Sequence, residues 1–357
     1  MDTQAPRASA APPSPWRTVA GAVALLTVVV SVLLTAFAWP SVRSSLRDVP
    51  IAVAGPPAAV ERVGSALDRR LPGGFAITEV ADTAAAERLI HDREVYGAID
   101  ISSGTPQVIT ASAAAPAVAQ TLQGIATGFA QEKGQSPSGT APVRDLVPLP
   151  AGDPRGAGLA AGALPLVMGG LLSALVLTRL VRGIARQVTG TLAFAVTGGL
   201  AVTAVLQFWL GSLEGSYAAN SAAVALAVAA VSLSIIGLES LLGYAGFGLG
   251  AVVMMLIGNP LSGTSTASEM LPGWSGELGR LLPPGAGALL LRSTAFFDGR
   301  GAAHAVTVLV IWLALGAALC LAGALRVPRR RRRGATGPRR PAHADALLPG
   351  SHRGHTG

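Results

Sequence analysis

Apolar residues in this chain gather into long charge-free runs, separated by stretches where apolar and polar positions mix as they do in globular proteins. A helix rising about 1.5 Å per residue needs about 20 apolar residues to cross the hydrocarbon core of a bilayer. Thr18 to Trp39 is the first run of that length, with Trp16 and Trp39 at its ends, where indole rings favour the membrane interface. Five further spans are expected at 158–178, 189–210, 221–238, 241–258 and 303–325. The third and fourth of these five nearly touch, so they predict a tight hairpin with its tip at Glu239-Ser240. Ala36-Phe37-Ala38 also fits a signal-peptidase site, but the first run exceeds the about 7–15 residues of a signal core, which favours an uncleaved anchor.

Between the first and second runs the period changes. Ile51 to Gly55 and Phe75 to Val80 read as strands, and Pro57 to Leu71 and Thr83 to Glu94 as helices, the second capped by Asp82 or Thr83. Tyr96 to Ile101 and Gln107 to Thr110 read as strands joined through Ser103-Gly104, and Ala115 to Lys133 as a third helix. The expected fold class is an α-helical integral membrane protein with six transmembrane helices and a small extracytoplasmic α/β domain between helices 1 and 2. The expected organisation is a disordered lead over 1–17, a first helix over 18–39, the α/β domain over 41–134 and a Pro/Gly/Ser-rich linker over 135–157. A five-helix membrane domain over 158–325 and a disordered arginine-rich tail over 326–357 complete it.

Composition agrees with a membrane protein. Half of the 357 residues are hydrophobic and 13% are charged, with a mean hydropathy of +0.52; soluble domains carry about a quarter charged residues. The net charge of +8 belongs to one place: from Arg326 onward nine arginines face a single acid, Asp345, and the rest of the chain is neutral. That tail reads as an electrostatic anchor to anionic lipid rather than a nucleic-acid surface. Arg7 and Arg17, then Arg179, Arg182 and Arg186, then the tail all fall on one side when there are six spans. The positive-inside rule makes that side cytoplasmic, with both termini inside and the α/β domain outside.

Candidate chemistry is sparse. Cys320, the single cysteine, reads as a small buried hydrophobe, and the single lysine, Lys133, lies in no phosphate-binding loop. His91 and His304 are isolated and His343, His352 and His355 are in the tail, so neither catalytic residues nor metal ligands nor a cofactor site are expected. Glu239 reads as a headgroup-level carboxylate, and Gln207 as an interhelical hydrogen-bonding group. Gly246, Gly248 and Gly250 read as one side-chain-free face for packing or for a hinge, supported by Gly169-Gly170 and Gly198-Gly199 on neighbouring spans. The stretch 259–302 is the most distinctive. It breaks at Asn259-Pro260-Leu261-Ser262-Gly263, continues half-apolar through Pro283-Pro284, and reads as an outer re-entrant segment.

This order of parts, together with Glu94 to Ile101, Val147 to Gly156, Gly258 to Gly263 and Leu281 to Gly285, resembles the membrane subunit of type 2 ABC exporters. The nearest resemblance is to the YhgE/Pip (phage infection protein) branch. It implies a dimeric permease-like subunit in a bacterial cytoplasmic membrane, moving a lipidic or amphipathic substrate outward with a separate P-loop ATPase. Asn259, Pro260, Gly263, Pro283 and Pro284 would then line or shape the exit, and Arg179, Arg182, Arg186 and Glu239 would face the ATPase. The Arg179 to Val188 segment departs from the pattern in being too short for an amphipathic coupling helix. A non-transporting envelope protein, whose external domain binds secretion machinery or a phage component, is the alternative.

Overall fold

The computed structural model describes residues 15–103, 106–132, 143–264 and 266–334. Residues 16–17 of the expected lead and 326–334 of the expected tail are helical, whereas residues 1–14, Gly104 in the expected strand link, Lys133 and residues 335–357 lie outside the described residues. Among them, five helices are long and apolar enough to cross a bilayer, which makes this a multi-pass α-helical membrane protein. They are α1 (Trp16–Arg43), α5 (Ala157–Leu180), α6 (Ile184–Ala204, prolonged by a π-helical turn to Trp209), α7 (Tyr217–Leu242) and α11, which begins at Ala303.

The bundle is built around α7. Its small residues, Ala223, Ala227, Ala230 and Gly237 among them, let other helices close on every side, and most of its length is buried. Where lipid surrounds the bundle, association rests on such close contact and on interhelical hydrogen bonds. Ser232 of α7 meets Ser173 of α5 at 2.7 Å, and the Ser240 hydroxyl donates to the Leu319 carbonyl of α11 at 3.1 Å. Asn220 donates to Gln207 at 3.2 Å, tying α7 to the end of α6. The α1 helix, by contrast, is exposed along its apolar length, as a helix facing lipid tails would be.

The hairpin after α7 differs from expectation. Glu239 and Ser240 are still helical, and the chain reverses at Gly243, whose φ of 66° only glycine adopts without strain. The return segment is an α-helix of eight residues, α8 (Tyr244–Ala251), continued by a π-helix from Val252 to Gly258. It is too short to count with the spanning helices. Nor do its glycines form one face, because residues two apart on a helix point to opposite sides. Gly246 and Gly250 are buried against α7, where a methyl on Gly246 would collide with the Leu238 carbonyl, while Gly248 has open space before it. Leucine at Gly246 is therefore expected to abolish folded protein, and leucine at Gly248 to leave its yield unchanged, as read by size-exclusion chromatography of detergent extracts.

The α/β domain is a five-stranded sheet in the order β2-β1-β3-β4-β5, from β1 (Val49–Ala54), β2 (Phe75–Val80), β3 (Gly97–Asp100), β4 (Gln107–Thr110) and β5 (Val143–Asp145). β5 pairs in parallel with β4, so the sheet takes in residues expected to be linker. Helices α2 (Pro57–Arg70) and α4 (Pro116–Glu132) cover one face, and α3 (Thr83–His91) covers part of the other.

Candidate functional site

The stretch from Asn259 to Ala302 connects the two halves of the molecule. After an irregular passage it forms α9 (Ser275–Leu281) and α10 (Pro283–Phe296), the latter starting with prolines in its first turn, where a missing N–H costs nothing. The depth of α10 follows from its neighbours. Gly287 packs against Ala227, ten residues into α7, and the Trp312 indole, nine residues into α11, donates to the Leu281 carbonyl at 2.8 Å. At about 1.5 Å per residue both contacts lie about 13–15 Å below the domain side of the bundle. Gly258, at the end of the short return helix, abuts Pro284, nearly one turn deeper than Gly287. The fifth apolar run thus stops inside the bundle, and α10 rises from that level back to the domain side. Discontinuous helices of this kind occur in membranes only where protein or a water-filled cavity surrounds them.

The expected site residues divide between two places. Pro283 and Pro284 line an apolar cleft with Leu159, Val167 and Val231, between α5, α7 and α10. Pro260 and Gly263 line a second cavity of about 170 Å³, whose other wall is Pro40, Ser41 and Ser44 at the end of α1. Thr264 belongs to both walls. Asn259 ends the π-helix, and its side-chain oxygen is buried without a hydrogen-bond partner. On the far side Arg179, Arg182 and Arg186 are exposed, and the Arg179 guanidinium stacks 4.9 Å from the Tyr244 ring. Only Val181, Arg182 and Gly183 separate α5 from α6, so Arg179 and Arg186 stand within helix ends rather than in a loop. One Glu239 carboxylate oxygen is buried and unpaired near the same end.

At its upper end the stretch clasps the sheet from both faces. Ala267 and Met270 join the core beside α2 and α4, and Phe297, 2% exposed, fills the core beside α3. The Met270 carbonyl accepts hydrogen bonds from Ser45 N at 3.0 Å and Ser44 Oγ at 3.2 Å. Between the two grips lies a group of charges that the sequence reading missed. Arg93 donates to the Leu289 carbonyl at 3.2 Å and to the Ser293 hydroxyl, and its guanidinium lies 5.2 Å from the Phe297 ring. The Tyr96 hydroxyl donates to Glu269 at 2.7 Å, with Arg280 at 4.0 Å from the same carboxylate. Burial, then the adjacent Glu269 charge, pushes the Tyr96 phenol well above its ordinary range and keeps it a donor. Burial also lowers the Arg93 guanidinium, with the Arg280 charge adding to the effect. Arg292, 4% exposed on α10, donates to the Thr264 carbonyl at 2.7 Å, and its Nε has no partner. The signal for it was present: Arg292 is the one charge in the otherwise uncharged run from Leu281 to Phe297.

Among the described residues no group of three or more His, Cys, Asp or Glu side chains converges as metal ligands would. No protein-family description, curated protein or solved structure matches the chain.

Proposed function

We propose that the protein is a permease-like membrane subunit that moves, or helps to move, a lipidic or amphipathic substrate outward, as the type 2 ABC exporter resemblance implies. In this reading the chain crosses the bacterial cytoplasmic membrane six times, the fifth crossing being the discontinuous one that ends at Gly258. Both termini are cytoplasmic, the α/β domain is outside, and two subunits pair. One observation carries the proposal: α10 starts inside the bundle at Pro283 and ends at Phe296, beside the Phe297 that is buried in the α/β core. A displacement of the domain is thereby transmitted to the wall of the Pro283-Pro284 cleft, a linkage that an anchor has no use for. The three-residue link between α5 and α6 favours the rival, a non-transporting envelope protein whose external domain binds other proteins, because it has no room for a helix that couples to an ATPase.

Reconstitution separates the two. Vesicles containing the protein are expected to move a fluorescent amphiphile between leaflets, and addition of a cognate ATPase with ATP is expected to accelerate the movement. Protein-containing vesicles that perform like empty ones, with and without ATPase, would leave the interaction-platform reading in place.

A further inference from the structure

The charged group at the junction encloses a cavity of about 250 Å³, lined by Arg93, Tyr96, Glu269, Arg280 and His304, with Glu94 exposed at its rim. One water occupies about 30 Å³ of liquid, so this volume holds a solvated polyatomic ion. The charge on its walls does not close. Arg93 hydrogen-bonds only neutral oxygens, and among the described residues no carboxylate stands within 4 Å of it or of Arg292 behind it. Glu269 is shared by Tyr96 and Arg280. Arg280 also pairs with the exposed Glu277 at 3.3 Å, so the guanidinium groups left without a carboxylate are Arg93 and, behind it, Arg292, and a buried charge without a counter-ion is unfavourable.

Two further observations point the same way. Arg93 holds a left-handed conformation, φ 62°, at the position after the α3 cap where helices usually place glycine, and a non-glycine residue there is strained. Gly301, left-handed at φ 68°, lies against the Arg93 stem, where a methyl would stand 3.2 Å from the Arg93 Cβ and Cδ. The backbone accepts strain at Arg93, packed against Gly301, and the Arg93 side chain reaches the cavity. The first turn of α11 completes the wall with His304 and Ala305, and its free backbone N–H groups favour negative charge.

We propose that this cavity binds a phosphate-type oxyanion, held by Arg93 and Arg280 with His304 and the α11 amides, and that the oxyanion is the headgroup of a phospholipid. The placement supports the second part: the cavity lies where the α/β domain meets the end of the bundle, at the level of lipid headgroups. This assignment rests on the membrane topology proposed above and not on transport, so a failed transport assay leaves it standing and a failed binding assay leaves transport standing.

The test uses the full-length protein in a neutral detergent, with thermal unfolding followed by tryptophan fluorescence. Inorganic phosphate, short-chain phosphatidic acid in mixed micelles, and diacylglycerol of the same chain length are titrated in turn. Phosphate and phosphatidic acid are expected to raise the midpoint, and diacylglycerol is not. Arg280→Gln, at a partly exposed position that should not disturb folding, is expected to weaken both affinities about tenfold, the loss of one charge-assisted hydrogen bond. Arg93→Gln should weaken them further if the variant folds. Binding of phosphate but not phosphatidic acid would keep the oxyanion site and overturn the lipid assignment. No shift with either probe, or shifts that Arg280→Gln leaves intact, would overturn the site.

Discussion

Phe297→Ala is expected to free the α/β domain from the bundle while each part stays folded. The ring is 2% exposed and belongs to a core otherwise made by Ala52, Ile90, Val95 and Ile109 of the domain. Truncating a buried Phe costs about 3–5 kcal/mol, which rivals what a modest docking surface supplies. The loss extends to Arg93, whose guanidinium rests near the same ring and whose partners are on the α10 backbone and Ser293. Hydrogen exchange should quicken in α3 and at the start of β3, and in α10 on the bundle side, while α7 stays protected. In the vesicle assay the variant should lose movement of the amphiphile without losing expression. If exchange quickened equally in α7, the two parts would be one cooperative unit and the hinge-like linkage would be wrong.

The second large effect lies where α7 crosses α11. A Cβ on Gly316 would stand 2.6 Å from the Leu233 carbonyl carbon, and one on Gly237 would stand 2.7 Å from the Gly316 carbonyl oxygen. These are backbone atoms, so no rotamer change relieves the clash and the helices must separate. Overpacking typically costs about 1–3 kcal/mol, and a backbone collision at the main crossing of the bundle belongs at or above the upper end. Separation would also break the Ser240 to Leu319 bond and strip cover from Leu309 and Ile236. Gly316→Leu is expected to yield aggregated protein on size-exclusion chromatography, and Gly316→Ala a lowered melting midpoint. Normal melting of Gly316→Leu would show that the helices can cross farther apart.

How far the sequence could be read depended on whether one strong local term decided each element. The spanning helices were legible because apolar length alone fixes them, and β1 to β4 because period and turn residues agree. β5 was not, since Val143–Asp145 is too short to carry a period and pairs only because β4 offers it an edge. The hairpin tip went to Glu239-Ser240 by polarity, whereas backbone conformation put it at Gly243. The stretch from Asn259 to Ala302 was visible as a break at Asn259-Pro260, but its depth was not, because depth comes from which turn of α7 receives Gly287. The junction cavity was hidden for the same reason: Arg93 lies about 180 residues before Glu269 and Arg280, and only docking brings them together.

The clasp has a consequence for biosynthesis. The sheet is complete once Asp145 has been made, yet the Phe297 that closes its second face comes about 150 residues later. At about 5–20 residues per second, a ribosome leaves that face open for roughly 8–30 s. Throughout that interval Ala52, Ala98 and Ile109 have α3 but no lid, and a nascent domain in this state is open to strand exchange or to capture by a chaperone. Slowing translation after residue 145 should therefore harm this protein more than slowing it before.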